Sequence, residues 1–145
     1  MFALLLIAVT LLQATVLPAL FPFEVVPNLV LVMLLVWAAL RGVAEGLLWL
    51  MGAGFLLDAL AMDPIGTNGL ALLPVVLAAG LARRRFFHSR MIVPVVLAVV
   101  TTIIHGLILT VLRGLETSGV LPPLGYVVRL TFLQAMLNAL LVPPF

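Results

Sequence analysis

The sequence predicts an all-α protein, a polytopic integral membrane bundle of about six transmembrane helices in a single domain. Three observations predict it. Hydrophobic residues make up 66% of the chain and charged residues 8%, where a soluble domain carries roughly 25% charged residues. Mean hydropathy is +1.41, so the excess apolar area must face lipid. The polar residues gather in short segments rich in Pro, Gly and Arg that separate apolar runs. A length of 145 residues leaves room for one domain. A pI near 10.5 would point to nucleic acid in a soluble protein. Here the basic residues, all Arg, sit mostly in short loops and read as topology signals, so no nucleic acid partner is expected. The absence of Cys excludes disulfides, thiolate metal sites and Cys nucleophiles.

Span one covers residues 2–17. It lacks a basic leader and an A-x-A cleavage site, and reads as a retained span rather than a signal peptide. It is expected to stop at Pro18, Pro22 and Pro27, in a connector that also carries Glu24. Span two, residues 28–40, would cover only about 20 Å of a hydrocarbon core about 30 Å thick. Arg41-Gly42 is a tight turn, and span three follows over 43–60. The run from Met62 to Gly69 is a loop of turn residues, with Asn68 a candidate N-cap for span four, 69–82. The most basic stretch, Arg83 to Arg90, precedes span five, 91–112. A second polar loop holding Arg113, Glu116, Pro122 and Pro123 precedes span six, 124–142. With both termini cytoplasmic, the inner loops hold Arg41, Arg83, Arg84, Arg85 and Arg90, and the outer loops hold only Arg113 beside Glu24, Asp63 and Glu116. The positive-inside rule favours that orientation.

An embedded polar side chain is informative because lipid penalises it. Counting along the helices puts Gln13, Thr15, Asp58, Asn68, His105 and Arg129 in the outer half of the bundle. Two readings are open. In the structural one, Asp58 pairs with Arg129 and the neutral cluster of Gln13, Thr15, Asn68 and His105 satisfies helix ends and neighbours. In the other, the cluster is a ligand or partner pocket opening outward. His105 has no second intramembrane His beside it, and a zinc site needs three or four ligands, so no metal is expected. Asp58 and Asp63 make a poor catalytic dyad, since Asp before Pro64 is a common turn choice. Neither a Ser-His-Asp set nor a nucleotide-binding Gly loop is present. No catalytic residue, cofactor or metal is assigned.

Ala38, Gly42 and Gly46 recur at four-residue spacing, and Gly52 and Gly54 follow. Small residues let helix backbones approach, either inside the bundle or as a groove for a partner's helix. Arg83, Arg84, Arg85 and Arg90 read as a topology anchor or as a cytoplasmic contact to protein or anionic lipid.

The order of motifs resembles the rod shape-determining protein MreD family. Leu12-Gln13-Ala14-Thr15-Val16-Leu17-Pro18 is similar to that family's close of span one. Pro27-Asn28-Leu29 is similar to its "P-D-L" start of span two, with Asn28 in place of the usual acidic residue. Gly54-Phe55-Leu56-Leu57-Asp58 followed by Pro64-Ile65-Gly66-Thr67-Asn68 resembles its "G-x-x-x-D…P-x-G-x-N/H" segment. Arg83-Arg84-Arg85 matches its basic inner loop, and Gln134, Asn138 and Pro143 its closing motif. The chain ends at Phe145, where family members often continue with a basic tail. The resemblance implies a non-enzymatic scaffold of the elongasome in the bacterial inner membrane, supporting lateral peptidoglycan synthesis and rod shape. It implies MreC as the foremost partner, with RodA, a class B penicillin-binding transpeptidase and MreB besides the lipid bilayer. It also implies a bundle like the S-components of energy-coupling-factor vitamin transporters, an analogy of fold. The alternative reading is therefore a vitamin-binding S-component or small membrane transporter. An intramembrane enzyme is a third, for which no constellation is found.

Overall fold

The computed structural model describes residues 1–21, 24–83, 92–117 and 119–142. Among these residues the protein is helical, with six helices and no strand. Helix α1 is Phe2–Leu20, α2 is Leu29–Arg41, α3 is Val43–Ala61, α4 is Thr67–Leu81, α5 is Ile92–Glu116 and α6 is Leu124–Leu141. Four of them, α1, α3, α5 and α6, are long and apolar enough to cross a membrane. The protein is a helical membrane bundle.

Helices α2 and α4 are the short ones, and they form the core. Val30, Leu31, Leu34, Leu35, Ala38 and Ala39 of α2 are fully buried, as are Ala71, Leu72, Val75, Val76 and Ala79 of α4. α2 packs on α3 and α4 and also touches α1, α5 and α6. The long helices surround this centre and turn Leu4, Leu5, Leu48, Met51, Phe55, Val100, Phe132 and Leu140 outward. The spans too short to stand alone in lipid are thus sheathed by their own neighbours.

The shortness of α2 has a second answer. Residues 24–28 are not helical, yet they run along α6. Glu24 accepts a hydrogen bond from the Tyr126 hydroxyl, Val26 O accepts from Gln134 Nε2, and Asn28 N donates to Asn138 Oδ1. The α6 positions advance from 126 to 138 while the segment advances from 24 to 28, which sets about 18 Å of helix beside about 13 Å of extended chain, the long Glu24, Tyr126 and Gln134 side chains spanning the difference. The chain therefore enters the bundle extended and coils into α2 only near mid-depth. Non-helical backbone is tolerated there because protein side chains satisfy it.

Helix α1 continues past its expected stop. Pro18 lies within Leu17–Leu20, and the turn before it, Leu12–Val16, is π-helical. A proline ring clashes with the carbonyl four residues back, here that of Ala14, and a wider turn relieves the clash without ending the helix. Helix α5 likewise runs beyond Leu112 to Glu116, held there by an ion pair described below. At α4 the expected N-cap is corrected: Gly66, at φ +104°, is the capping residue and Asn68 lies inside the first turn.

At one end of the bundle Phe2 stacks on Trp37 at 3.6 Å between ring centroids and meets the edge of Trp49. Arg41 sits over Trp37 and pairs with Glu45 at 3.6 Å. Gly42 makes the α2–α3 turn at φ +103°, with Arg83 Nη1 beside it. Arg41 and Arg83 therefore share one end. Glu24, Asp63, Arg113 and Glu116 lie toward the other.

Candidate functional site: a polar collar and its cavity

Helices in lipid gain little from burying apolar surface against one another, since the tails are equally apolar. What selects one arrangement is close approach and the satisfaction of polar groups. Two clusters of hydrogen bonds do this, one in the half of the bundle opposite Arg41 and one near mid-depth.

The first is organised by Asp58, only 1% exposed on α3. Its Oδ2 accepts from Gly66 N at 2.7 Å, and its Oδ1 accepts from Asn68 N and Asn68 Nδ2, both at 2.8 Å. A carboxylate from one helix thus caps the start of the next, where unpaired N–H groups and the helix dipole favour negative charge. Asn68 Nδ2 also donates to Asp63 Oδ2 at 3.2 Å, and Arg113 Nη2 binds the same oxygen at 2.7 Å. Thr67 Oγ1 lies 3.2 Å from Glu116 Oε1. The loop after α3 is therefore tied to the end of α5.

The expected Asp58–Arg129 pair does not form. Asp58 faces α4, and its oxygens are taken by N–H donors. Arg129 is exposed on α6 and has no ion-pair partner among the described residues. Equal depth allows a pair, but facing is set by helix rotation, which depth does not report.

The second cluster receives the start of α2. Asn28 Oδ1 accepts from Leu31 N at 2.9 Å, capping the helix. Gln13 Oε1 on α1 accepts from Val30 N at 2.9 Å. Asn138 Oδ1 accepts from Asn28 N at 2.7 Å, and Asn138 Nδ2 donates to Thr102 Oγ1 at 3.0 Å. Asn138 and Thr102 are fully buried. Because Asn28 acts through one acceptor oxygen, a carboxylate can do the same work. Asn28→Asp is expected to fold normally and to change the unfolding midpoint in detergent little. A large loss of folded protein would mean that the amide group of Asn28, rather than its oxygen, is what the site requires.

Between the clusters lies a cavity of about 250 Å³ lined by Gln13, Asn28, Asn68, His105, Arg113 and Gln134, with Leu57, Leu60 and Leu109. Gln13, Asn68 and His105 of the expected outer cluster thus meet here. Thr15 does not: it is exposed, and its hydroxyl donates to Leu11 O in its own helix. His105 is buried, and neither ring nitrogen has a partner among the described residues. A space of this size and polarity suits water or a small polar molecule. Its lining holds no Phe, Tyr or Trp on which a vitamin ring could stack. No group of three or more His, Asp or Glu able to hold a metal occurs among the described residues.

The small residues divide by position. A Cβ built on Gly46 would lie 2.7 Å from Val76 Cγ1 and 2.9 Å from Ala38 Cβ, so α3 presses there on α4 and on α2. A Cβ on Gly54 would lie 2.8 Å from Gly69 Cα. Gly42 serves the turn, and Gly52 faces open space and packs against nothing. Outside the Gly54–Gly69 contact runs a groove of about 350 Å³ lined by Met51, Phe55, Ile65, Leu70 and Leu73. Arg83 is exposed at the opposite end, while Arg84, Arg85 and Arg90 lie outside the described residues.

Reading the sequence for charged pairs overlooked Asn28, Thr102, Gln134 and Asn138 as network members. Gln134 and Asn138 sit four apart, hence on one face of α6. That spacing was the available signal.

Neither a curated protein nor a solved structure matches the chain. A family model does, that of the rod shape-determining protein MreD, and it matches residues 1–145. Since the match spans the whole chain, this membrane bundle belongs to the rod shape-determining MreD family.

Proposed function

We propose that the protein is a non-enzymatic scaffold of the elongasome in the bacterial inner membrane, with both termini cytoplasmic. In this reading it binds the transmembrane helix of MreC and so supports lateral peptidoglycan synthesis. RodA, a class B penicillin-binding transpeptidase and MreB are the further partners. The observation that carries the proposal is the family match over the full chain. The α3–α4 groove supports its mechanism. Its floor is backbone at Gly54 and Gly69, and Met51, Phe55, Ile65 and Leu70 stand exposed around it. Small residues of this kind let a partner's helix approach closely in lipid. The orientation rests on Arg41 and Arg83 sharing one end, with Arg84, Arg85 and Arg90 following in sequence as the cytoplasmic contact.

Gly69 offers a selective test. A Cβ there meets nothing within 4 Å, so Gly69→Leu fills the groove without an internal clash. Affinity purification from native membranes is expected to recover MreC with the native chain and about tenfold less with Gly69→Leu, a loss of about 1.4 kcal/mol. Gly52→Leu, also facing open space, serves as the control and should leave recovery unchanged. Undiminished recovery with Gly69→Leu would place the MreC contact on another face. Failure of the native chain to recover MreC would remove the scaffold proposal itself.

A further inference from the structure

A concavity larger than the collar cavity lies elsewhere. It is an open groove of about 710 Å³ along the outside of α6, lined by Leu130, Leu133, Met136, Leu137 and Leu140 with Phe21 and Val25 opposite. Its two charged residues are Glu24 and Arg129, and Tyr126 stands beside them. From Tyr126 to Leu140 the groove follows about 21 Å of helix, more than one leaflet of a core about 30 Å thick.

Arg129 lies about 7 Å below the first residue of α6 by helical rise. It is exposed on the lipid side and has no ion-pair or hydrogen-bond partner among the described residues. An arginine so placed is expensive unless an anion meets it. Glu24 is in the same groove but more than ion-pair distance away, and one of its oxygens accepts from Tyr126 at 2.6 Å. The mouth therefore presents one separated cation and one separated anion above an apolar trough.

We propose that this groove binds one phospholipid with a zwitterionic headgroup. Its phosphate is held by Arg129, its ammonium by Glu24, and an acyl chain lies along Leu133, Met136, Leu137 and Leu140. Charge complementarity selects this occupant. A headgroup carrying only a phosphate leaves Glu24 facing it unfavourably. A guanidinium matches phosphate oxygens in a planar, two-point contact. The proposal is independent of the MreC contact, which uses the α3–α4 face.

The test is native mass spectrometry of the full chain in detergent, titrated with phosphatidylethanolamine, with phosphatidylglycerol, or with inorganic phosphate alone. One phosphatidylethanolamine per protein should be retained, about tenfold tighter than phosphatidylglycerol, the fold-change that one charge-assisted contact supplies. Arg129→Gln should weaken both lipids about tenfold. Glu24→Gln should abolish the preference between them. Arg41→Gln, at the opposite end, should change nothing. Equal retention of the two lipids by the native chain overturns the proposal, as does full retention by Arg129→Gln. Phosphate alone binding as tightly as the lipid would make this a site for a free anion and overturn it too. Capture of an acidic partner helix at Arg129, with lipid excluded, would also overturn it. Arg129 and Glu24 are exposed, so their variants should keep the native unfolding midpoint.

Discussion

Asp58→Leu is expected to release α4 from the bundle. The carboxylate satisfies two backbone N–H groups, of Gly66 and Asn68, and one side-chain N–H. Hydrogen bonds to a charged group contribute about 1.5–3 kcal/mol each. Inside a membrane, water does not replace a lost partner. A combined loss of about 4 kcal/mol or more is set against a total stability of about 5–15 kcal/mol. Asp58→Asn keeps one acceptor oxygen and should lose roughly half as much. Unfolding in detergent followed by the fluorescence of Trp37 and Trp49 measures both. An unchanged midpoint for Asp58→Leu would show that α4 is held by packing alone. Because Arg129 faces away, combining Asp58→Arg with Arg129→Asp should be no better than Asp58→Arg by itself. Recovery in the double variant would restore the ion pair that the structure does not contain.

The second large effect is expected at Asn138. Its side chain joins the backbone of Asn28 to Thr102 across α2, α5 and α6. Asn138→Leu keeps the volume and removes both bonds, leaving the buried Asn28 N–H without an acceptor. The cost is about 3 kcal/mol, most of it from that stranded donor. Thr102→Val removes only the far bond and should cost about 1 kcal/mol. The comparison isolates the backbone bond. Equal effects would mean that the extended segment before α2 does not depend on Asn138. A fall in unfolding midpoint for Asn138→Leu, with MreC recovery lost in proportion, would tie the collar to function through folding rather than contact.

Much of the bundle was legible before any coordinates. Arg41-Gly42 marks its turn because only a residue free of Cβ adopts φ +103° easily. Gln13 was visible as a polar residue that lipid would not tolerate unpartnered. Pro18 misled, because a π-helical turn absorbs a proline that local rules treat as a stop. Asp58 stands out in the sequence as an acid in an apolar span, and its carboxylate meets the N–H groups of Gly66 and Asn68 rather than Arg129. Charge attracts attention to charge, whereas a helix N-terminus is an equally good partner for a carboxylate, and the sequence does not say which side chain will reach it. The amides of Asn28, Gln134 and Asn138 were seen only as pieces of motifs, since an amide gives no hint of which backbone it will bond.

By itself the sequence determined that this chain is a helical membrane bundle and where most of the helical segments among its described residues fall. Those follow from composition and from the spacing of turn residues, which are local properties. Only the tertiary structure decided that two short helices form the core, that the chain enters α2 extended along α6, and that Asp58 caps α4 while Arg129 looks outward. Those depend on how each helix is rotated about its axis. In a membrane, apolar faces are nearly interchangeable, and rotation is decided by a few glycine contacts and by where the last unsatisfied N–H groups find oxygen.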